Sequence, residues 1–234
     1  MSQIKNKTIW LTGASSGIGL ALLALLVAQG NRVIVSARRE ERLQALRDQY
    51  GERVIPLVLD VTDPASLNAA RELLSTIVTP LGGLDVAIIN AGDCKYLDGG
   101  RCDSEIIKQM TRVNFFGAVD CAEIAEPYLK VSPSGGGAEQ RKQLVFVSSL
   151  ATRLAFPRAG AYGASKAALD YLAASLRIDW ASSCCDVTLV SPGFVATPLT
   201  ASNDFSMPFI MSPQRAARAI VRGLERGKAS IAFP

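Results

Sequence analysis

Tyr162 and Lys166 stand four residues apart in Tyr162-Gly163-Ala164-Ser165-Lys166. That spacing puts both side chains on one face of a helix. A phenol is a poor acid or base near neutrality, because its reference pKa is about 10. A neighbouring ammonium favours the phenolate, so Lys166 is expected to lower the Tyr162 pKa into a working range. One loop upstream an apolar run ends in Ser148-Ser149, and Ser148 is expected to hydrogen-bond a substrate oxygen. The bland reading of an isolated Tyr-x-x-x-Lys is an aromatic ring stacked on a lysine stem. Here the pair follows a predicted strand tip, where α/β sheets collect their chemistry.

The chain has no histidine. Ser-His-Asp hydrolysis, Cys-His nucleophiles and histidine-ligated metals are therefore excluded. The five cysteines, Cys94, Cys102, Cys121, Cys184 and Cys185, form no C-x-x-C pair. They read as free thiols in a reducing compartment, with no zinc site and no disulfide framework. Gly13-Ala14-Ser15-Ser16-Gly17 matches the G-x-S-x-G elbow of α/β-hydrolases. That chemistry needs a histidine base, so the hydrolase reading fails.

The longer stretch Thr12-Gly13-Ala14-Ser15-Ser16-Gly17-Ile18-Gly19 joins a predicted strand to a predicted helix. Its glycines permit a tight turn and close approach to a phosphate, which the following helix N-terminus would attract. A glycine-rich turn used only for packing is the bland alternative.

These groups need a frame, and the hydrophobic pattern supplies one. Apolar strands are predicted at residues 7–12, 32–36, 54–59, 85–90, 144–148, 187–191 and 230–233. Helices are predicted at 17–29, 40–50 with Gly51 as stop, and 63–78 with Asp63 as cap before Pro64. Further helices are predicted at 104–130 with a bend near Pro127, at 162–182, and at 212–226 between Ser212 and Gly227. The Gly/Ser/Pro-rich segment 132–143 reads as a surface loop. Alternation of continuous apolar strands with helices predicts a single-domain α/β fold. Its core is a Rossmann-type, doubly wound parallel sheet with helices on both faces and a crevice at the strands' carboxyl ends.

Composition agrees with such a domain. With 234 residues, 49% hydrophobic and 20% charged, the chain can bury a sizeable core. The net charge of +4 comes without a dense basic block, so nucleic acid is not an expected partner. The longest apolar run, residues 20–28, is too short to span a membrane. The polar N-terminus lacks the apolar core of a secretion leader. A cytoplasmic location is expected.

The ordered set Thr12-Gly13, Gly17-Ile18-Gly19, Asp60, Asn90-Ala91-Gly92, Asn114, Ser148, Tyr162, Lys166 and Pro192-Gly193 resembles the short-chain dehydrogenase/reductase family over nearly the whole chain. The resemblance implies an oxidoreductase moving a hydride between a nicotinamide cofactor and a carbonyl or alcohol carbon. It implies Ser148 polarising the carbonyl and Tyr162 as acid/base. Lys166 would bind the nicotinamide ribose and hold down the Tyr162 pKa. Asn114, in Val113-Asn114-Phe115, would support a proton relay, or serve as a structural amide at a helix kink. Gly13, Ser15, Ser16, Gly17, Ile18 and Gly19 would cradle the phosphates. Asp60 and Val61 would line the adenine, and Asn90, Ala91 and Gly92 the ribose. Pro192, Gly193, Val195 and Thr197 would pass the nicotinamide. The resemblance also implies a homodimer or homotetramer formed through segments 104–130 and 161–182.

Cofactor choice has a physical basis. The second strand ends Val35-Ser36-Ala37-Arg38-Arg39, with no carboxylate to bond a ribose 2′-OH. A guanidinium grips a 2′-phosphate instead, so Arg38, helped by Arg39 or Ser36, predicts NADP(H) over NAD(H). Otherwise both arginines start a solvated helix and pair with Glu40 or Glu41. The segment 194–211 is expected to cover the substrate. With Leu154 and Phe156 it offers Val195, Leu199, Phe205, Met207, Pro208, Phe209, Ile210 and Met211 as an apolar lid. The competing function class is a non-catalytic NADP-binding sensor or scaffold, which predicts a damaged Ser/Tyr/Lys set.

Overall fold

Seven strands and seven α-helices alternate along the described residues, 4–130 and 141–234, of the computed structural model. The strands are β1 (Thr8–Thr12), β2 (Arg32–Ala37), β3 (Val54–Val58), β4 (Val86–Ile89), β5 (Lys142–Val147), β6 (Cys185–Pro192) and β7 (Ser230–Phe233). They form one sheet in the order β3-β2-β1-β4-β5-β6-β7, with every pairing parallel. The predicted single-sheet Rossmann architecture is the observed one. Of the loop read at 132–143, residues 132–140 lie outside the described residues.

Each face of the sheet carries its own core. Helices α1 (Gly17–Ala28), α2 (Glu40–Tyr50) and α7 (Pro213–Glu225) bury Leu22, Leu43 and Ile220 against one face. Helices α3 (Pro64–Val78), α5 (Gly117–Leu129) and α6 (Gly160–Asp179) bury Leu74, Ile124 and Leu169 against the other. Central strands are therefore apolar on both sides, as β1 with its five buried residues shows. Helix limits follow local chemistry. Asp63 accepts from the Ala65 and Ser66 amides at 3.1 and 3.2 Å, and Pro64 opens α3. Gly51, at φ 66°, stops α2.

The helix expected over 104–130 is not continuous. Helix α4 (Ser104–Thr111) passes into a π turn, Arg112–Phe116, before α5 begins. The Gly117 amide there reaches back to the Arg112 carbonyl. Pro127 lies inside α5 without ending it. The cause of the break is Asn114, which is fully buried. Its Nδ2 donates to the Asp93 carbonyl at 2.9 Å and to Ser165 Oγ at 3.0 Å. Its Oδ1 accepts from the Asp93 amide at 2.9 Å. Drawing this side chain inward costs one regular turn.

Of the two segments read as a self-association surface, 104–130 buries most of α5 but of α4 only Met110, with Phe116 exposed between them, and α6 leaves Tyr171 and Ile178 in solvent.

Candidate active site

The chain leaves β1 towards β2 on one side, and β4 lies on the other side of β1. A crevice opens at the carboxyl ends of such a pair. Thr12 and Asn90 fasten its floor. Thr12 Oγ1 accepts from the Asn90 and Ala91 amides at 2.9 and 3.1 Å, and Asn90 Nδ2 donates to the Thr12 carbonyl at 3.0 Å. Gly13 has φ 67°, and a Cβ there would lie 2.9 Å from Ala91 Cα. Only glycine fits this turn.

Above it lies a cavity of about 350 Å³. Its lining includes Gly13, Ser15, Ser16, Gly17, Ile18, Arg38, Arg39, Asp60, Val61, Asn90, Ala91, Gly92, Pro192, Gly193, Val195 and Thr197, with Tyr162 and Lys166. One expected cofactor residue is absent from that wall. Gly19 packs inside the turn, where a Cβ would meet the Gly13 carbonyl oxygen at 2.1 Å. Its role is close packing rather than contact. Ser16 begins α1 without spending its side chain on the helix's own amides. Arg38 and Arg39 are exposed at the rim. Ser36 lines the cavity too, and its hydroxyl accepts from Trp10 Nε1 at 2.9 Å. Burial acts to raise the Asp60 pKa, but the Thr62 hydroxyl and amide and the Arg38 guanidinium prevail and hold it below its usual value. A cradle lined by a helix N-terminus, glycines and two cations fits a nicotinamide dinucleotide with its phosphates at α1.

Tyr162 lies in the first turn of α6, with the Ser149 side chain on the same wall acting to lower its pKa. Ser148, the serine expected to polarise the substrate, borders the first cavity but commits its hydroxyl to α6. Its Oγ donates to Asp170 Oδ1 on α6, where Asp170 Oδ2 also accepts from Thr152 Oγ1 at 2.7 Å. Strand alternation is the reason. Leu144 and Phe146 face the α6 side of the sheet, and Ser148 continues their parity. Ser149 stands where the chain turns out of β5, capping the Ala151 amide at 3.1 Å. Removing the Asp170 carboxylate would strand two hydroxyls, one of them on buried Ser148. Asp170→Ala is therefore expected to lower the unfolding free energy by about 2 kcal/mol, measured by urea denaturation.

Lys166 is buried, and its Nζ donates to the Val147 carbonyl at 2.8 Å. Burial brings its pKa down to about 8, although Asp170 and Cys94 act to raise it. The expected lowering of the Tyr162 pKa by Lys166 is not found. Burial pushes Tyr162 up to about 12, the Ser149 hydrogen bond opposes this, and Cys94 adds to it. Desolvation of the phenolate is the largest cause, and Ser149 rather than Lys166 is the group that opposes it. Asn114 does not line the cavity; it holds the turn after β4 from behind. A Cβ at Gly92 would sit 2.9 Å from Asn114 Oδ1 and 3.3 Å from Lys166 Nζ, so the two side chains flank that glycine. Ser165, bonded to Asn114, donates onward to the Tyr162 carbonyl at 2.7 Å.

A second cavity, of about 270 Å³, shares Ser149 and Tyr162 with the first. Of the expected lid residues, Phe156, Leu199, Phe205, Pro208 and Phe209 line it. Leu154 and Ile210 face solvent, Val195 is buried in the core, and Met207 Sδ accepts from Asn203. Phe194, the first residue of the expected covering segment, lines it too, and Cys94 and Tyr96 do so without having been foreseen.

Comparison with known proteins agrees with this fold. Residues 7–206 match the family described as short chain dehydrogenase. An uncharacterized oxidoreductase of Myxococcus xanthus is 36% identical over 237 residues, covering 100% of this chain and 90% of its own. A benzil reductase, (S)-benzoin forming, of Saccharomyces cerevisiae is 35% identical over 203 residues, covering 83% of this chain and 73% of its own. Among solved structures, a short chain dehydrogenase from Burkholderia cenocepacia J2315 in complex with NADP superposes with TM-score 0.82 at 26% identity, over 99% of this chain and 90% of that one. A short chain dehydrogenase/reductase from Burkholderia phymatum in complex with NAD reaches 0.85 at 19% identity, over 99% and 90% of the two chains. The chain belongs to the short-chain dehydrogenase family and is an oxidoreductase of that family. No helix among the described residues is long and apolar enough to cross a membrane.

Proposed function

We propose that this chain transfers a hydride between NADP(H) and a carbonyl or alcohol carbon, with Tyr162 as the acid/base. The carrying observation is that Tyr162 and Ser149 stand on the wall common to both cavities. A group there reaches a cofactor on one side and a substrate oxygen on the other. The yeast relative's name, which gives a carbonyl substrate, supports the reading. When bound, the dinucleotide supplies or accepts the hydride.

Ser149 donates a hydrogen bond to the substrate oxygen and holds it against the Tyr162 hydroxyl. Tyr162 gives its proton to that oxygen in reduction and takes one in oxidation. A phenol that burial keeps protonated suits donation. Lys166 binds the ribose and puts positive charge beside the phenol as the proton leaves. Asn114 keeps Asp93 and the start of α6 in register through Ser165. Arg38, with Arg39 beside it, meets the 2′-phosphate. The measurement that tests the whole reading is NADPH consumption against a carbonyl panel.

The Lys166 pKa adds a pH signature. Below about pH 8 the ammonium is present and can hold the ribose; above it the charge is lost. NADPH affinity is therefore expected to weaken with one deprotonation above about pH 8, followed by fluorescence titration. The alkaline limb should vanish in Lys166→Met. An unchanged limb in that variant would assign it to another group.

A further inference from the structure

The second cavity has a composition of its own. None of its lining side chains carries a charge. Its polar groups are mostly spent on one another. The Tyr96 hydroxyl donates to Asn203 Oδ1 at 2.8 Å, Asn203 Nδ2 donates to Met207 Sδ, and Thr200 Oγ1 donates to the Val195 carbonyl at 2.6 Å. Arg158, which stands outside the lining, is bound to Asp98 and Asp204 and lies 5.3 Å over the Tyr96 ring. An anionic substrate would find no free partner there, and a polyol few hydrogen bonds.

What the wall does offer is aromatic. Tyr96, Phe205, Phe194 and Phe156 form a row of edge-on contacts, with centroids 5.8, 6.0 and 6.1 Å apart. Such rings present both edges and faces to a further ring. Phe209 lines the mouth while holding φ at 59°, a backbone region that bulky residues avoid, and it is 83% exposed. Strain of this kind gathers at ligand clamps.

We propose that this cavity takes a neutral carbonyl compound bearing an aryl group on its carbonyl carbon, the aryl ring extending the aromatic row. The inference rests on the proposed function only for which atom faces Tyr162. The fit of the ring stands on the cavity itself.

The test compares three methyl ketones of similar size, carrying phenyl, cyclohexyl and 4-carboxyphenyl groups. Both turnover and binding are measured, the latter by calorimetry with NADP+ present. The phenyl ketone is expected to exceed the cyclohexyl ketone about tenfold in affinity and in kcat/KM, the scale of one or two good aromatic contacts. The carboxylated ketone should be the weakest. Phe205→Leu removes the centre of the row from a partly exposed position. It should bring phenyl and cyclohexyl close to equality, with thermal unfolding as the check on folding. Equal binding of phenyl and cyclohexyl ketones to the wild-type protein overturns the inference, as does preference for the carboxylate. Turnover of none of them, with phenyl still preferred in binding, overturns the proposed function and leaves the inference standing.

Discussion

Tyr162→Phe is expected to lower kcat about a thousandfold, within the range for loss of a positioned acid/base, while cofactor affinity stays nearly constant. The substitution removes one oxygen and leaves the ring in its place at the start of α6. The hydroxyl belongs to a residue that lines both cavities, as Ser149 does. Stopped-flow NADPH oxidation separates the two quantities, since kcat and the cofactor Kd are read on the same protein. Ser149→Ala should follow it in kcat, whereas Ser148→Ala should show mainly as lost stability through Asp170. Turnover surviving in Tyr162→Phe would remove the phenol from the chemistry. Equal kinetic cost at the two serines would remove the distinction between them.

Arg38→Ala is expected to raise the Kd for NADPH about thirtyfold and to leave that for NADH within about twofold, because charge-assisted hydrogen bonds are worth about 1.5–3 kcal/mol. The rim position of Arg38, and the absence of a carboxylate on the strand tip from Ser36 to Arg39, carry this expectation. Arg39 shares the rim and limits the loss. Parallel fluorescence titrations of both cofactors decide it. Equal affinity for NADPH and NADH, unchanged in the variant, would return both arginines to the solvated start of α2.

Much of this molecule could be read from its residues, for identifiable reasons. Strands buried on both faces must be continuous apolar runs, so the sheet was visible as periodicity alone. Asp63-Pro64 and Gly51 mark their helix limits by local chemistry, independent of the fold. The π turn was partly legible: Asn114 reads as a structural amide at a helix kink, which it is, but its partners Asp93 and Ser165 are distant in sequence, and Pro127 offers a competing position for the bend. The serine doublet was legible in principle, because Leu144, Phe146 and Ser148 share parity. The Tyr162 pKa was not legible. It depends on how completely loops far along the chain enclose the phenol, and spacing on one helix says nothing of that. Tyr96 and Cys94 were missed because they come from an irregular segment with no period to follow.

The order of the strands bears on how the chain reaches this shape. Ile9, Trp10 and Leu11 pair with Val33, Ile34 and Val35 early in the sequence, but their other partners are Val86, Ala87 and Ile88. While the chain is being synthesised, a ribbon of the first three strands can form with an apolar edge left bare, awaiting the fourth. Bare strand edges and distant pairings are where slow folding and mispairing arise. The contact that creates the ligand crevice is thus also the one that ends the nascent chain's most vulnerable interval.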